Sequence, residues 1–300
     1  MKMFNNSYHI SNVIAGIILI LFLPTSIIAQ DSLSDLIGEA RSVGIEQSKI
    51  NALQERAAQR GISDAELIAI IRPAVSMAER NLPSEMIFDK AFEGLSKGVP
   101  FQQIEPMLGM IAENSMRVAG IVDPWIERAE IRGMLERGGY AGNQQKFRNE
   151  MIKAGSKTLR QNFSEEVFQE TIHTIADQRG IEERNPGTVV AAANILSDLP
   201  SAAENPTESA RIILRALEGG FEASDLQNLP RAMNMAQRRS EIPAGAVLEG
   251  VSRQLQGGLP AEQILQNLFN GNIGGGPPGG TPPGLNRGDR DRRGPPGNNG

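Results

Sequence analysis

Residues 93–101 read EGLSKGVPF, and the Gly98-Val99 pair within them recurs along the chain. Glycine followed at once by an apolar residue occurs again, at intervals of 37 to 41 residues, at Gly61-Ile62, Gly139-Tyr140, Gly180-Ile181, Gly220-Phe221 and Gly258-Leu259. Glycine suits the left-handed position that ends a helix, and the apolar residue after it can fold back onto that helix. The spacing therefore predicts a repeat of helical hairpins, each about forty residues long.

Two of these junctions share more than the glycine. Pro83 precedes Pro100 by the same seventeen residues that separate Pro243 from Pro260. At the same offset of 160, three further residues of the first junction have identical counterparts in the second, which are Gly258, Ile264 and Leu268. Five matching positions without a gap indicate a true internal repeat.

Other helix signals fill the chain between the junctions. Residues 63–66 have the form of a capping box, and an apolar stripe at helical spacing follows them, with Pro73 inside it as a predicted kink. A capping residue followed by proline predicts helix starts at Asp123-Pro124, Asn185-Pro186 and Asn205-Pro206. We find no alternating segment of strand length, so the sequence predicts an all-α fold.

The arrangement of the hairpins is left open between two forms. The repeat domain, residues 30–270, is either an α-solenoid-like array or a compact multi-helix bundle. An array places contacts between neighbouring hairpins. A bundle would bring Ile70 and Ile71 close to the apolar stripe between Leu226 and Met233.

The first 29 residues have the three-part form of a signal peptide, with Lys2 as their only charged side chain and cleavage predicted after Ala29. Their apolar run, residues 13–23, is shorter than the roughly twenty residues that cross a bilayer, so we favour cleavage over an uncleaved anchor. The mature chain would be periplasmic or secreted, with no transmembrane helix. Its net charge would be 29 minus 35, or −6.

Residues 271–300 contain eleven glycines and six prolines, and their charged side chains sum to +2. This composition buries too little apolar surface to offset the entropy of ordering, which predicts a disordered tail. The sequence Arg287-Gly288-Asp289 within it spells an integrin-binding tripeptide, which we attribute to composition. One hypothesis is that this tail contacts an acidic surface, such as envelope polymers or lipid.

Composition excludes several classes of site. There is no cysteine, and His173 is the only histidine after the leader. Glu170 and His173 have the Glu-x-x-His form of di-iron bundles, and Glu166 and Asp177 lie at helical spacing from them. Those bundles need a second histidine motif, so we favour a polar helix face over a metal site. We predict no catalytic, cofactor-binding or metal-binding residues and no cofactor.

A glycan-cleaving enzyme that uses paired carboxylates stays open as the alternative, because such chemistry needs no histidine. A sugar cleft is expected to use several large amphipathic rings, and the mature chain offers only Trp125 and Tyr140. We assign both to packing. The acidic net charge does not favour binding to nucleic acid.

Residues 90–100, KAFEGLSKGVP, resemble a KAxEGLxKGVP segment that recurs in uncharacterised exported bacterial proteins. The resemblance covers about eleven residues and implies a bacterial, exported setting without any known activity. In architecture, the forty-residue hairpins are similar to HEAT-like helical arrays.

The function expected from the sequence is that of an exported, non-enzymatic binding or scaffold module of the cell envelope. Stacked hairpins present an extended surface on which a partner can dock. The partner would be a protein or another envelope component.

Overall fold

The computed structural model describes residues 32–274, apart from 141, 201 and 203. The predicted signal peptide and nearly all of the predicted tail, including residues 287–289, lie outside the described residues. The helices are α1 (Leu33–Ser42), α2 (Gln47–Gln59), α3 (Asp64–Glu79), α4 (Glu85–Ser96), α5 (Phe101–Ile126), α6 (Ala129–Arg137), α7 (Gln144–Arg160), α8 (Glu165–Ala176), α9 (Pro186–Ile195), α10 (Pro206–Glu218), α11 (Ala223–Ser240), α12 (Ala244–Gln256) and α13 (Ala261–Phe269). A short 3₁₀ turn occupies Ile181–Glu183.

The part of the chain from Leu33 to Gly274 that the structure describes is all-helical, as predicted, and the glycine turns are confirmed. All six predicted glycines have φ between +68° and +81°. After α4, the amide of Val99 donates to the carbonyl of Gly94 at 2.9 Å, which is the long hydrogen bond of a Schellman cap. The two copies of the internal repeat agree at the second proline, because Pro100 and Pro260 are both helix N-caps. They differ at the first, since Pro243 is the N-cap of α12 whereas Pro83 precedes Ser84, the N-cap of α4.

The hairpins stack in order along the chain. Helix α3 packs on α1, α4 and α5, whereas α11 packs on α9, α12 and α13. Ile70 and Ile71 therefore lie in a different part of the core from Leu226 and Met233. Of the two forms left open by the sequence, the structure has the array.

Helix α5 belongs to two stacks, because it packs on α3 and α4 of the first and on α7 and α8 of the second. In the first stack, α1, α3 and α5 form one layer and α2 and α4 the other. In the second stack, α7, α9, α11 and α13 form one layer, and α5 is followed by α8, α10 and α12 in the other. Helix α5 thus closes the first stack and opens the second.

Side-chain contacts show how α5 runs relative to α7 and α8. Along α5, Ser115 donates a hydrogen bond to Ser156 and Trp125 stacks on Phe147, so the partner numbers on α7 fall as those on α5 rise. Helices α5 and α7 are therefore antiparallel. On α8 the partner numbers rise instead, from Glu165 opposite Arg117 to Ile172 opposite Trp125, so α5 and α8 are parallel.

An arginine on α7 fastens the second stack to the first. Arg148 makes a two-pronged ion pair with Asp123, at 2.6 and 3.0 Å, and it also donates to the backbone carbonyl of Asn81 at 2.7 Å. Gln145 donates to the same carbonyl at 3.1 Å. The turn after α3, the end of α5 and the start of α7 are thereby held together.

The length of α5 corrects the helix start predicted at Asp123-Pro124. Helix α5 runs through Pro124 to Ile126, and Pro124 and Gly120 are both exposed, so water can hydrate the carbonyl that loses its donor. At the internal offset of 160, Ile111 corresponds to Gly271, which ends α13 with φ of +81°. Without a glycine at that position, α5 continues. The starts at Pro186 and Pro206 are confirmed.

A second set of helix-ending turns has no glycine and was not predicted from the glycine spacing. Asn81, Asn162 and Glu241 follow α3, α7 and α11 and have φ of +54°, +66° and +56°. Asparagine enters the left-handed region more readily than most residues, since its short side chain can hydrogen-bond locally. These positions lie about eighty residues apart, or every second hairpin.

Trp125 and Tyr140 belong to packing, as predicted. Trp125 is fully buried, its indole N–H donates to the carbonyl of Ile172 at 2.7 Å, and its ring lies 6.0 Å from that of Phe147. Tyr140 meets Phe147 edge-on at 6.1 Å. These contacts join α5, α7 and α8 at the point where the two stacks meet.

The folded region extends slightly past residue 270. Ile273 is buried, and its side chain and carbonyl approach Gly250 so closely that a Cβ there would lie 2.0 Å from Ile273 Cγ2. The buried Gln254 accepts a hydrogen bond from Asn267 at 2.9 Å. Asn272 and Ile273 thus pack on α12 rather than separating from it.

Candidate binding groove

Helix α9 is short and apolar, and this creates a depression in the second stack. It has 10 residues, whereas its neighbours α7 and α11 have 17 and 18. Asn185 caps its start by accepting from the amide of Gly187 at 2.8 Å, and Pro186 is its first residue. Gly187 and Ala191 offer little or no side chain to fill the space between the two longer helices. The surface over α9 is therefore recessed between α7 and α11.

Two adjoining clefts, of about 920 and 320 Å³, lie over α9. They share Asn194 and Gln227, so they form one continuous depression between α7 and α11, which we call the α9 groove. Its lining residues are Glu150, Lys153, Lys157, Gly187, Val190, Ala191, Asn194, Ile195, Asp198, Gln227, Pro230, Arg231, Asn234, Met235 and Arg238.

The α7 side of the groove is fixed by ion pairs. Lys157 binds Asp198 at 2.5 Å and donates to the backbone carbonyl of Asn194 at 3.1 Å. Lys153 pairs with Glu85 of α4 at 2.5 Å. Both lysines already have partners inside the protein. Their charges are therefore less available to a ligand, and their main role is to fix the shape of this wall.

The α11 side carries a polar stripe with unpaired charge. Gln227, Arg231, Asn234 and Arg238 follow the i, i+4, i+7, i+11 spacing of one helix face. Both arginines are exposed, and neither forms an ion pair with any residue that the structure describes. The groove as a whole holds four cations and two carboxylates, a local charge of +2 in a chain of net charge −5.

The remaining polar contact of this stripe is internal to α11. The amide nitrogen of Asn234 donates to the carbonyl of Pro230 at 2.9 Å, and this hydrogen bond leaves its amide oxygen unused. Asn194 and Gln227 add two more amide groups to the groove. Primary amides both donate and accept hydrogen bonds, so the groove can pair with an unpaired polypeptide backbone.

The carboxyl groups with shifted pKa values do not suit glycoside hydrolysis. A general acid needs a raised pKa. The pKa values of Glu66 and Glu166 are instead lowered, chiefly by backbone N–H groups at the starts of α3 and α8. Within the groove, Asp198 is bound to Lys157, while Glu150 lies at the other end of the lining.

The KAFEGLSKGVP segment builds a helix junction. Ala91 and Leu95 are buried, and a Cβ at Gly94 would lie 2.8 Å from Ile104 of the next helix. Gly98 has φ of +70°, and Pro100 is the N-cap of α5. The apolar, glycine and proline positions of the segment therefore serve the turn from α4 to α5.

The charged positions of that segment form one network on the surface of α4. Glu93 pairs with Lys90 at 2.8 Å and with Lys97 at 2.6 Å. Hydrogen bonds from Lys90 and then Lys97, followed by their charges, lower the pKa of Glu93 from 4.5 to about 2. The network favours the ionised carboxylate, so any stability that it contributes is present above pH 4.5 and is lost as the pH falls toward 2.

We expect the carboxyl carbon of Glu93 to titrate near pH 2 in ¹³C NMR spectra. Replacing Lys90 and Lys97 together with glutamine should raise that midpoint toward 4.5, since both donors and both charges are removed. Lys146→Gln, an exposed change on another helix, is the control and should leave it unchanged. A midpoint near 4.5 in the unmodified protein would contradict the network.

His173, the histidine of the Glu-x-x-His pattern, lies outside the groove. His173 is partly buried on α8, where its backbone carbonyl accepts from the amide of Asp177. Among the residues that the structure describes, no group of three or more His, Cys, Asp or Glu side chains could hold a metal ion. In the same residues, no helix combines the length and hydropathy needed to cross a membrane.

Comparison with known proteins gives no relative. No protein-family model matches the sequence, and no curated protein or solved structure matches it significantly. The groove is therefore interpreted from its own residues.

Proposed function

We propose that the protein is an exported, non-enzymatic binding or scaffold module of the cell envelope, and that a polypeptide partner docks in the α9 groove. The α11 stripe carries this proposal. It presents two arginines without ion pairs among the described residues and two amide side chains, and Asn194 of α9 adds a third amide beside a wall already fixed by ion pairs. Lys153 and Lys157 of that wall are held in place before binding, so they lose little entropy when a partner arrives.

The groove combines exposed cations with a concave surface. Elsewhere, polar side chains often bridge successive hairpins: Arg215 binds Ser252 at 2.5 Å, and Gln178 donates to the carbonyl of Leu214 at 3.1 Å. Arg231 and Arg238 have no such internal partner among the described residues. Polar groups without internal partners at a concave surface are suited to a ligand.

Photocrosslinking tests this proposal. A benzophenone amino acid in place of Met235, which lines the groove, should give defined adducts when the protein is incubated with extract of the exported fraction of its own cells. The same amino acid in place of Met110 is the matched control, because Met110 is 44% exposed on α5 and does not line the groove.

The outcomes separate the hypotheses. Adducts that form at position 235 and are absent at 110 support docking in the groove. Equal labelling at both positions, or none at either, contradicts it. Release of soluble fragments from purified peptidoglycan by the unmodified protein would instead favour the carboxylate enzyme. N-terminal sequencing of the exported protein tests the setting, with Gln30 expected as the first residue.

A further inference from the structure

We propose that Arg231 and Arg238 recognise two carboxylates spaced three residues apart on an extended, polyproline-II-like segment of the partner. This inference rests on the proposed function, because it names the ligand of the same groove. Its first support is that both arginines lie on one face of α11, are exposed and lack an ion pair among the described residues.

The spacing of the arginines sets the spacing of the ligand charges. Arg231 and Arg238 are seven residues apart on a helix that rises about 1.5 Å per residue, which places them about 10.5 Å apart along α11. A polyproline-II helix has three residues per turn and rises about 3.1 Å per residue, so residues i and i+3 share a face about 9.3 Å apart. A β-strand places residues i and i+2 on one face at only about 6.6 Å.

Arginine defines the chemistry of the ligand. Its planar guanidinium group forms paired hydrogen bonds to a carboxylate and carries its charge at every physiological pH. Two such groups form a positive stripe in a chain of net charge −5. The occupant expected from charge complementarity is an acidic peptide.

The amide groups of the groove favour an extended ligand over a helical one. Asn194, Gln227 and Asn234 offer hydrogen-bonding groups along the lining. A polyproline-II segment has no internal hydrogen bonds, so its backbone amides and carbonyls are free to pair with them. A helix has already satisfied these groups along most of its length.

The carboxylates of the groove disfavour a densely charged polyanion. Glu150 adds a negative charge to the same lining, and Asp198 already neutralises Lys157, so the groove offers no continuous row of free cations to a chain of closely spaced phosphates. A peptide with two carboxylates at the arginines and neutral residues elsewhere needs no such row.

Fluorescence anisotropy with synthetic peptides tests the inference. The probe is a labelled proline-rich peptide with glutamates at positions i and i+3, and its comparison peptides have glutamates at i and i+2 or glutamine in place of both. Arg231→Gln and Arg238→Gln should each weaken binding of the first peptide about tenfold, since each removes a hydrogen bond to a charged group. Arg179→Gln, exposed and outside the groove, should not change it.

Equal binding of the i+2 and i+3 peptides, or binding that both arginine variants leave unchanged, would overturn the inference. So would tighter binding of a helix-stabilised peptide with glutamates seven residues apart, or of a phosphate oligomer. If groove-specific adducts form at position 235 while the peptides show no dependence on spacing, the inference fails and the docking function stands. If neither experiment shows binding in the groove, both fail.

Discussion

Replacing Trp125 with alanine is expected to lower the free energy of unfolding by about 3–5 kcal/mol, the range for removing a large aromatic side chain from a core. Trp125 is fully buried and contacts Phe147 of α7 and the carbonyl of Ile172 on α8. The change would leave a cavity where the two stacks meet, and a buried carbonyl would lose its donor. Urea denaturation followed by far-UV circular dichroism measures the effect without relying on the tryptophan itself.

Phenylalanine at the same position separates the two contributions. Trp125→Phe keeps an aromatic ring beside Phe147 but removes the indole N–H, so it should cost about 1–3 kcal/mol. A loss below about 1 kcal/mol for Trp125→Ala would show that the indole is not a principal contact between the stacks.

The second large effect is expected at Gly155, where α7 meets both α5 and α8. A Cβ there would lie 2.5 Å from Val118 Cγ1 and 2.7 Å from Phe168 Cζ, well inside contact distance. Gly155→Ala should therefore destabilise the protein by about 1–3 kcal/mol, the usual cost of overpacking a core. The measurement is again the free energy of unfolding in urea.

Gly109 of α5 is the matched control, because it is also helical but exposed, and no described atom lies within 4 Å of a Cβ built there. Alanine restricts the unfolded chain more than glycine does, so Gly109→Ala should stabilise the protein by about 0.5–1 kcal/mol. Opposite signs at the two glycines are expected. A stabilising effect of Gly155→Ala would contradict the close contact and would mean that α7 can move away from its neighbours at little cost.

The repeat was predictable because its signals are local. A glycine in the left-handed region and a proline at an N-cap depend on the backbone of a few residues, and Gly98 with Pro100 and Gly258 with Pro260 have nearly the same geometry in distant hairpins. The turns at Asn81 and Glu241 were not predicted, because asparagine and glutamate occupy the left-handed region less often than glycine does.

The length of α5 was missed for a different reason. The local sequence pattern predicts a helix start at Asp123-Pro124. In the structure the helix continues through the proline, and Trp125 is buried against α7 and α8. Tertiary contacts between residues far apart in sequence decided the outcome. A single-sequence pattern has no access to them.

The α9 groove also lay beyond the sequence pattern. The polar stripe of α11 is visible in the sequence as Gln227, Arg231, Asn234 and Arg238, yet similar stripes occur on any solvent-facing helix. It becomes a candidate site only because a short α9 lies between two longer helices. That juxtaposition depends on how the hairpins stack.

The double use of α5 bears on how such a chain can change during evolution. The related segments at residues 83–108 and 243–268 contact different neighbouring helices, so one sequence pattern works in both settings. Duplication or recombination of whole hairpins would preserve the contacts between adjacent units. Such an exchange would not preserve helix α5, because a copy with a glycine stop at position 111 would end before it reached Trp125. The layer of α8, α10 and α12 would then lose the helix that begins it.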